Sequence, residues 1–311
     1  MISVLGQGVA GLCAATVLAE RGLPVEVIAP AAEPLPASSL AGGMLAPFCE
    51  GDGAPQVVVA RGQGAADWWG SRVPGVVRRG TLVVAAPRDA PELDRLARAT
   101  TGHGWADPAA LEPALQGRFA RGLFYRAEAH LDPRVALDAL RGRLLASGVA
   151  FRDGPPRGRI VDCRGMGAAP DLPDLRAVRG EMLELLAPEV RLSRSLRLLH
   201  PRFACYIVPR GAGRYMIGAT MVESARLGGV TARAVVELLS AAYSVHPGFA
   251  EAELLATGAG LRPAFPDNTP AIRRCGDRLH LNGLYRHGFL MAPALAGDLA
   301  DILTRDPAHA D

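Results

Sequence analysis

Lysine is absent from the 311 residues: all 34 basic side chains are arginine, set against 31 acidic ones for a formal charge of +3. The arginines are spread along the chain rather than gathered in a stripe, which argues against a nucleic-acid partner, because such a footprint is a basic patch. The five cysteines, Cys13, Cys49, Cys163, Cys205 and Cys275, include no Cys-x-x-Cys pair. Neither a disulfide framework nor a metal centre is therefore expected. No uninterrupted apolar run approaches the roughly 20 residues that span a bilayer, so no membrane association is expected either. Met1 to Leu5 leads straight into a glycine turn, without the basic and apolar stretches of a signal peptide. With an odd number of scattered cysteines, this points to a reducing cytoplasm.

What is present is apolar material, 49% of the residues, over a length that suits two connected domains of roughly 100 to 200 residues each. The opening reads as a βαβ unit with parallel strands: Ile2 to Leu5 is apolar, glycines follow, Val9 to Arg21 is helical, and Val25 to Ile28 is apolar and β-branched. Gly22 stands just past the helix as a stop. Further helices are expected near Val57 to Ser71, Pro91 to Thr101, Pro133 to Ser147, Thr231 to Ser244 and Pro293 to Thr304. Strands are expected at Gly80 to Ala85, Val149 to Arg152, Arg159 to Cys163, running into Leu261, and at Leu279 to Leu284. Ala177 to Thr220 has the look of antiparallel sheet, with a hairpin turning at Gly211-Ala212-Gly213. The expected class is α/β (α+β overall): a Rossmann-like nucleotide-binding domain from residues 1–75, 130–175 and 255–311, and a second, antiparallel-sheet substrate domain from 76–129 and 176–254.

Gly6-Gln7-Gly8-Val9-Ala10-Gly11 follows a strand and opens a helix, the context that raises G-x-G-x-x-G above chance. Gly6 permits the tight turn, Gly8 lets the backbone approach a pyrophosphate, and Gly11 lets the helix press on the strand. The helix N-terminus, with Val9 and Ala10, presents N–H groups to the phosphates. NAD and FAD both use such a turn. The acidic residue that usually grips the ribose at the end of the second strand is replaced by Ala29-Pro30, leaving Glu33 in the following loop, or the backbone alone, for that task.

Ala37-Ser38-Ser39-Leu40-Ala41-Gly42-Gly43-Met44-Leu45-Ala46-Pro47 resembles the signature with which amine and amino-acid oxidases of the D-amino-acid oxidase and glycine oxidase family pass beneath the flavin ring. Paired glycines let backbone amides approach a flat ring where no Cβ intervenes. Glu128-Ala129-His130-Leu131-Asp132-Pro133-Arg134, Val178-Arg179-Gly180-Glu181-Met182-Leu183, Tyr206-Ile207-Val208-Pro209-Arg210, Gly260-Leu261-Arg262-Pro263 and Leu284-Tyr285-Arg286-His287-Gly288-Phe289-Leu290 extend the resemblance nearly end to end.

The resemblance implies FAD as cofactor, held by Gly6, Gly8, Val9, Ala10, Gly11, Ser38, Gly42, Gly43 and Met44 and wrapped by Leu284, Tyr285, Arg286, His287, Gly288, Phe289 and Leu290. It implies that Arg262 binds a substrate carboxylate, that Tyr206 donates to the same group, that Arg286 lies close to substrate and that Met44 and Met221 border the cavity. A guanidinium suits that task because it pairs a carboxylate through two hydrogen bonds and keeps its charge. His287 reads equally as a solvated loop residue or as a group that assists oxygen. The implied reaction oxidises glycine, or a similar small amino acid, to its imine while O2 becomes H2O2, with no side chain acting as acid or base on the carbon and with the imine feeding thiamine assembly. Sarcosine, proline or a small D-amino acid is the alternative substrate, and a quinone the alternative acceptor. The partners are thus a small amino acid and O2, with room for a homo-oligomer.

Overall fold

The computed structural model describes residues 1–29, 36–200 and 205–305. Ile2–Leu5 and Val25–Ile28 are parallel strands in register from Ile2↔Val25 to Leu5↔Ile28, joined by the helix Val9–Glu20. Both strands are buried along their length, as strands covered on two faces must be. Their two polar members satisfy each other: Ser3 Oγ donates to Glu26 Oε1 at 2.6 Å, and Arg152 closes the group with an ion pair of 2.7 Å to Glu26. The six-stranded sheet runs in the order Ala271–Cys275, Arg278–Asn282, Arg159–Asp162, Ile2–Leu5, Val25–Ile28, Ala150–Arg152. Its core joins Leu12, Leu18, Leu137, Leu140, Leu295 and Leu299, contributed by three helices. The carboxyl ends of Ile2–Leu5 and Arg159–Asp162 meet at Gly6 and Cys163, where Cys163 N donates to Leu5 O at 2.9 Å. Crevices at such strand ends are where open parallel sheets bind ligands.

A nine-stranded sheet forms the second body, with the expected hairpin made by Cys205–Gly211 and Arg214–Gly218. It is antiparallel apart from one pair, Ser195–Leu199 beside Thr81–Ala85, which is parallel. Those two strands are separated by more than a hundred residues, a crossover long enough to return in either direction. Glu253–Ala264 pairs with Arg176–Leu186 along its length. The domain division expected at residues 254/255 therefore falls inside a strand, and residues 255–264 lie in the second sheet.

Two helical expectations are corrected. The helix expected over Val57 to Ser71 is two short ones, Gln56–Gly62 and Ala65–Gly70, parted at Gln63-Gly64, where glycine is a poor helix former. The last helix begins at Gly288 rather than Pro293 and runs to Arg305. Pro293 lacks the N–H that would serve the carbonyl of Phe289. The indole Nε1 of buried Trp69 donates to that carbonyl instead, at 2.7 Å, so the helix continues through the proline.

Candidate functional site

One cavity of about 600 Å³ lies where the two sheets meet, and it gathers nearly all the residues singled out from sequence. Gly6, Gly8, Val9, Ala10, Ser38, Gly42, Gly43, Met44 and the whole run from Leu284 to Leu290 line it, as do Tyr206, Met221 and Arg262. Gly11 does not. A Cβ there would overlap Gly6 O, so its part is to let the helix close on the turn. Glu33 lies outside the described residues.

The nucleotide end is built from backbone. Gly6 has φ +96, which favours glycine. Gly8 is the N-cap of the helix and has no side chain with which to cap it, leaving first-turn N–H groups without intrahelical partners. Ser38 Oγ accepts from Val9 N at 3.0 Å and so ties the second cavity wall to the helix start.

Gly42 and Gly43 turn out to serve different ends. Gly43 has φ +66, and a Cβ on it would overlap Leu131 O, whose residue also donates N–H to Gly43 O at 2.9 Å. Packing on the Ala129–His130 strand requires this glycine. At Gly42 the nearest protein atoms to a Cβ would be Met216 Sδ and a Val208 methyl, both at 3.8 Å. Nothing among the described residues demands a glycine there, yet the residue lines the cavity. A flat ligand pressed against the backbone would account for it, so the cradle fits a flavin.

Side chains take over at the far end. Arg262 is held over Gly180, on the neighbouring strand, and its Nη1 donates to Thr220 O at 3.0 Å. Thr220 is fixed in turn by Glu181: Thr220 Oγ1 accepts from Glu181 N at 2.9 Å and donates to Glu181 Oε2 at 3.0 Å. Glu181 also accepts from Thr231 N at 2.8 Å and pairs with Arg179 at 3.1 Å. Among the described residues Arg262 forms no ion pair. Burial lowers its pKa, but a guanidinium stays charged across the biological range.

Arg286 is differently placed. Glu50 Oε2 accepts from its Nε at 3.2 Å and its Nη2 at 2.9 Å, and Tyr206 Oη accepts from the same Nη2 at 2.9 Å. Because Tyr206 accepts in that contact, its own proton remains for another acceptor. Burial pushes the phenol pKa upward, so the proton is retained. Met221 is 46% exposed and borders the mouth, its Sδ 3.4 Å from Tyr285 Oη. Met44, half-buried, packs beside Met182, Val208 and Met216.

The solvated-loop reading of His287 is overturned: the residue is 2% exposed, its Nε2 has no partner among the described residues, and burial drives its pKa down to about 4. It is neutral at the cavity wall. Glu50 is the residue that sequence reasoning missed. Its loop is anchored from below, where Glu128 Oε1 accepts from Phe48 N at 2.9 Å and Cys49 N at 2.7 Å, and where Arg197 donates to Cys49 O and pairs with Asp52 at 3.3 Å. The only signal was an acidic residue shortly after Met44-Leu45.

A glycine-rich helix start, a cavity continuous from it to a partly buried guanidinium, and a frame of two sheets together define a flavin-dependent oxidoreductase. Residues 1–302 match the family described as DAO: FAD dependent oxidoreductase, and the chain belongs to it. Over 310 residues it is 53% identical to the putative thiamine biosynthesis oxidoreductase ThiO of Rhizobium etli, covering 96% of this chain and 95% of that one. A shorter match, 37% identical over 142 residues, covers 43% of this chain and 36% of the glycine oxidase of Bacillus licheniformis. Among solved structures, glycine oxidase from Geobacillus kaustophilus superposes with a TM-score of 0.82 at 22% identity, covering 98% of this chain and 94% of that one. Iminodiacetate oxidase from Chelativorans sp. BNC1 does so at 0.83 and 24% identity, covering 100% and 97%. At such identities the likeness is one of fold. No helix among the described residues is long and apolar enough to cross a membrane.

Proposed function

We propose that the protein oxidises glycine, or an amino acid of similar size, to its imine while O2 is reduced to H2O2, and that the imine supplies thiamine thiazole synthesis. The observation that carries this reading is Arg262: a partly buried guanidinium without an ion-pair partner among the described residues, in the same cavity as the glycine turn. The name of one relative, glycine oxidase, supports the same substrate class, and that of another, a putative thiamine biosynthesis oxidoreductase, supports the link to thiamine.

FAD, when bound, supplies the electron acceptor for the substrate C–H bond and passes the electrons to O2. Gly6, Gly8 and the first turn of the helix would hold its pyrophosphate, and Gly42 to Met44 with Leu284 to Leu290 its ring system. The protein's contribution is then orientation. Arg262 takes the carboxylate through paired hydrogen bonds, Tyr206 adds its O–H, and the α-carbon is turned toward the ring. Met44 and Met221 offer apolar walls that suit a substrate with little or no side chain. No acid or base is assigned to the carbon; His287 is neutral and Tyr206 keeps its proton.

The test is direct. Purified protein should be yellow and should release FAD into the supernatant on acid precipitation. Of the cysteines only Cys163 lines the cavity, and burial raises its pKa well away from the thiolate that a covalent link would need. Peroxide release should be greatest with glycine in a panel that includes sarcosine, proline and D-alanine. Colour left in the pellet would contradict noncovalent binding, and turnover confined to a larger substrate would overturn glycine.

A further inference from the structure

The substrate end of the cavity is lined by two guanidiniums, Arg262 and Arg286, and by two carboxylates, Glu50 and Glu181, of which Glu181 is already paired with Arg179 at 3.1 Å. Glu50 and Arg286 are paired at 2.9 Å with side-chain exposures of only 14% and 16%, and Tyr206 is bonded to the same guanidinium nitrogen. Burial alone would raise the pKa of Glu50, yet the guanidiniums of Arg286 and Arg197 hold it below the ordinary value, so the carboxylate is charged. Arg197, beneath the loop, is balanced by Asp52. With Glu181 neutralised by Arg179 and Glu50 by Arg286, the substrate end is left with a single net positive, located on Arg262.

We infer that Glu50 sets the charge class of the substrate: by occupying Arg286 it confines the site to molecules with one carboxylate and disfavours dicarboxylates. The inference rests on the reading of Arg262 as carboxylate anchor. One carboxylate on Arg262 neutralises the site. A second would be brought, desolvated, beside the Glu50 carboxylate, where like charges repel and neither has a free cation. With the Glu50 charge removed, the Nε and Nη2 of Arg286 become available as a second fork for an acidic group.

The experiment titrates the flavin-loaded enzyme at pH 8 with acetate and with malonate, following the perturbation of the flavin absorbance in the native protein, Glu50→Gln and Glu50→Ala. Glutamine keeps the shape of glutamate, so the change between native and Gln enzyme reports charge rather than space. The native enzyme should bind acetate at least about tenfold more tightly than malonate, and the variants should tighten malonate relative to acetate by at least about tenfold, as expected when a charge-assisted fork is gained. If acetate bound while malonate matched it in the native enzyme, the role of Glu50 would be overturned and the anchor reading would stand. The same follows if malonate stayed weak in both variants, or if both ligands weakened in equal measure, which is the behaviour of a purely structural ion pair. If acetate failed to perturb the native flavin, the anchor reading would fall and this inference with it.

Discussion

The guanidinium of Arg262 fills the space that a Cβ on Gly180 would take. The two residues lie on neighbouring antiparallel strands in which Gly180 faces Gly260 and Arg262 faces Val178, so they are diagonal neighbours on one face of the sheet. Gly180→Ala is therefore expected to displace the guanidinium while leaving the flavin cradle untouched. Steady-state kinetics should show KM for glycine raised, with kcat/KM down at least about tenfold, because misplacing an orienting group costs rate as well as affinity. An alanine variant with native KM would show that the position of this guanidinium is irrelevant to binding.

Arg262→Ala and Arg262→Lys are both expected to give a folded, yellow protein whose kcat/KM for glycine is lower by about tenfold to a hundredfold, since a hydrogen bond to a charged group contributes about 1.5–3 kcal/mol. Lysine retains the charge but not the planar fork. A simple amine without a carboxylate, however poor a substrate, should suffer no comparable loss. Equal loss on both substrates would mean that Arg262 acts through the flavin or the fold.

Gly8 and Gly11 should separate ligand binding from folding. A Cβ at Gly8 would come within 3.2 Å of Ser38 Oγ and 3.6 Å of a Pro36 carbon, whereas one at Gly11 would overlap the backbone oxygen of Gly6. Gly8→Val is expected to yield a protein with native far-UV circular dichroism and little or no flavin, because the branched side chain enters the space meant for the pyrophosphate. Gly11→Ala should lower the melting temperature even of the apoprotein. Normal flavin content in Gly8→Val would remove this turn from the cofactor site.

The acid limb of stability has opposing contributors. Burial holds His130 and His287 at about 4, below the ordinary 6.5. The unfolded chain therefore binds more protons between those values, and the contribution of both histidines, complete above about pH 6.5, is lost as the pH falls toward 4. Glu128 is pushed by burial from 4.5 up to about 7. It is protonated first in the folded state, so it adds stability as the pH falls from about 7 toward 4.5, and that stability is absent above about pH 7. Glu128→Gln, which abolishes this offset, should lose more stability than the native protein between pH 7 and pH 5, as read from urea midpoints. An equal or smaller loss would show that Glu128 is ionised in the fold.

The legible parts of the protein are those in which a short segment carries its own constraint. The strand, glycine turn and helix at Ile2 to Glu20 follow from local sterics, and Gly6 and Gly11 fail with any side chain for reasons found within a few residues or on the adjacent strand. The segments around Gly42, Arg262 and Leu284 are legible through their resemblance to the amino-acid oxidase family, and the structure brings them to one cavity. Glu50 was not legible, since its partner Arg286 stands 236 positions away and no spacing links them. The start of the last helix was misplaced for a similar reason. Proline ordinarily marks a first turn, and only the distant Trp69 supplies the donor that lets Gly288 to Ala292 precede it in the helix.

By itself the sequence determined the nucleotide-binding turn and the sheet-and-helix frame, because backbone sterics and hydrophobic period are properties of the residues themselves, while the choice of flavin and of Arg262 as carboxylate partner came from the family resemblance. Only the tertiary structure decided which guanidinium is paired and which, among the described residues, is not, that His287 is buried and neutral rather than solvated, and that Gly43 answers to Leu131 while Gly42 stands open to the cavity. Charge pairing, desolvation and free space depend on neighbours that the chain brings together from far apart, and those neighbours exist only once it has folded.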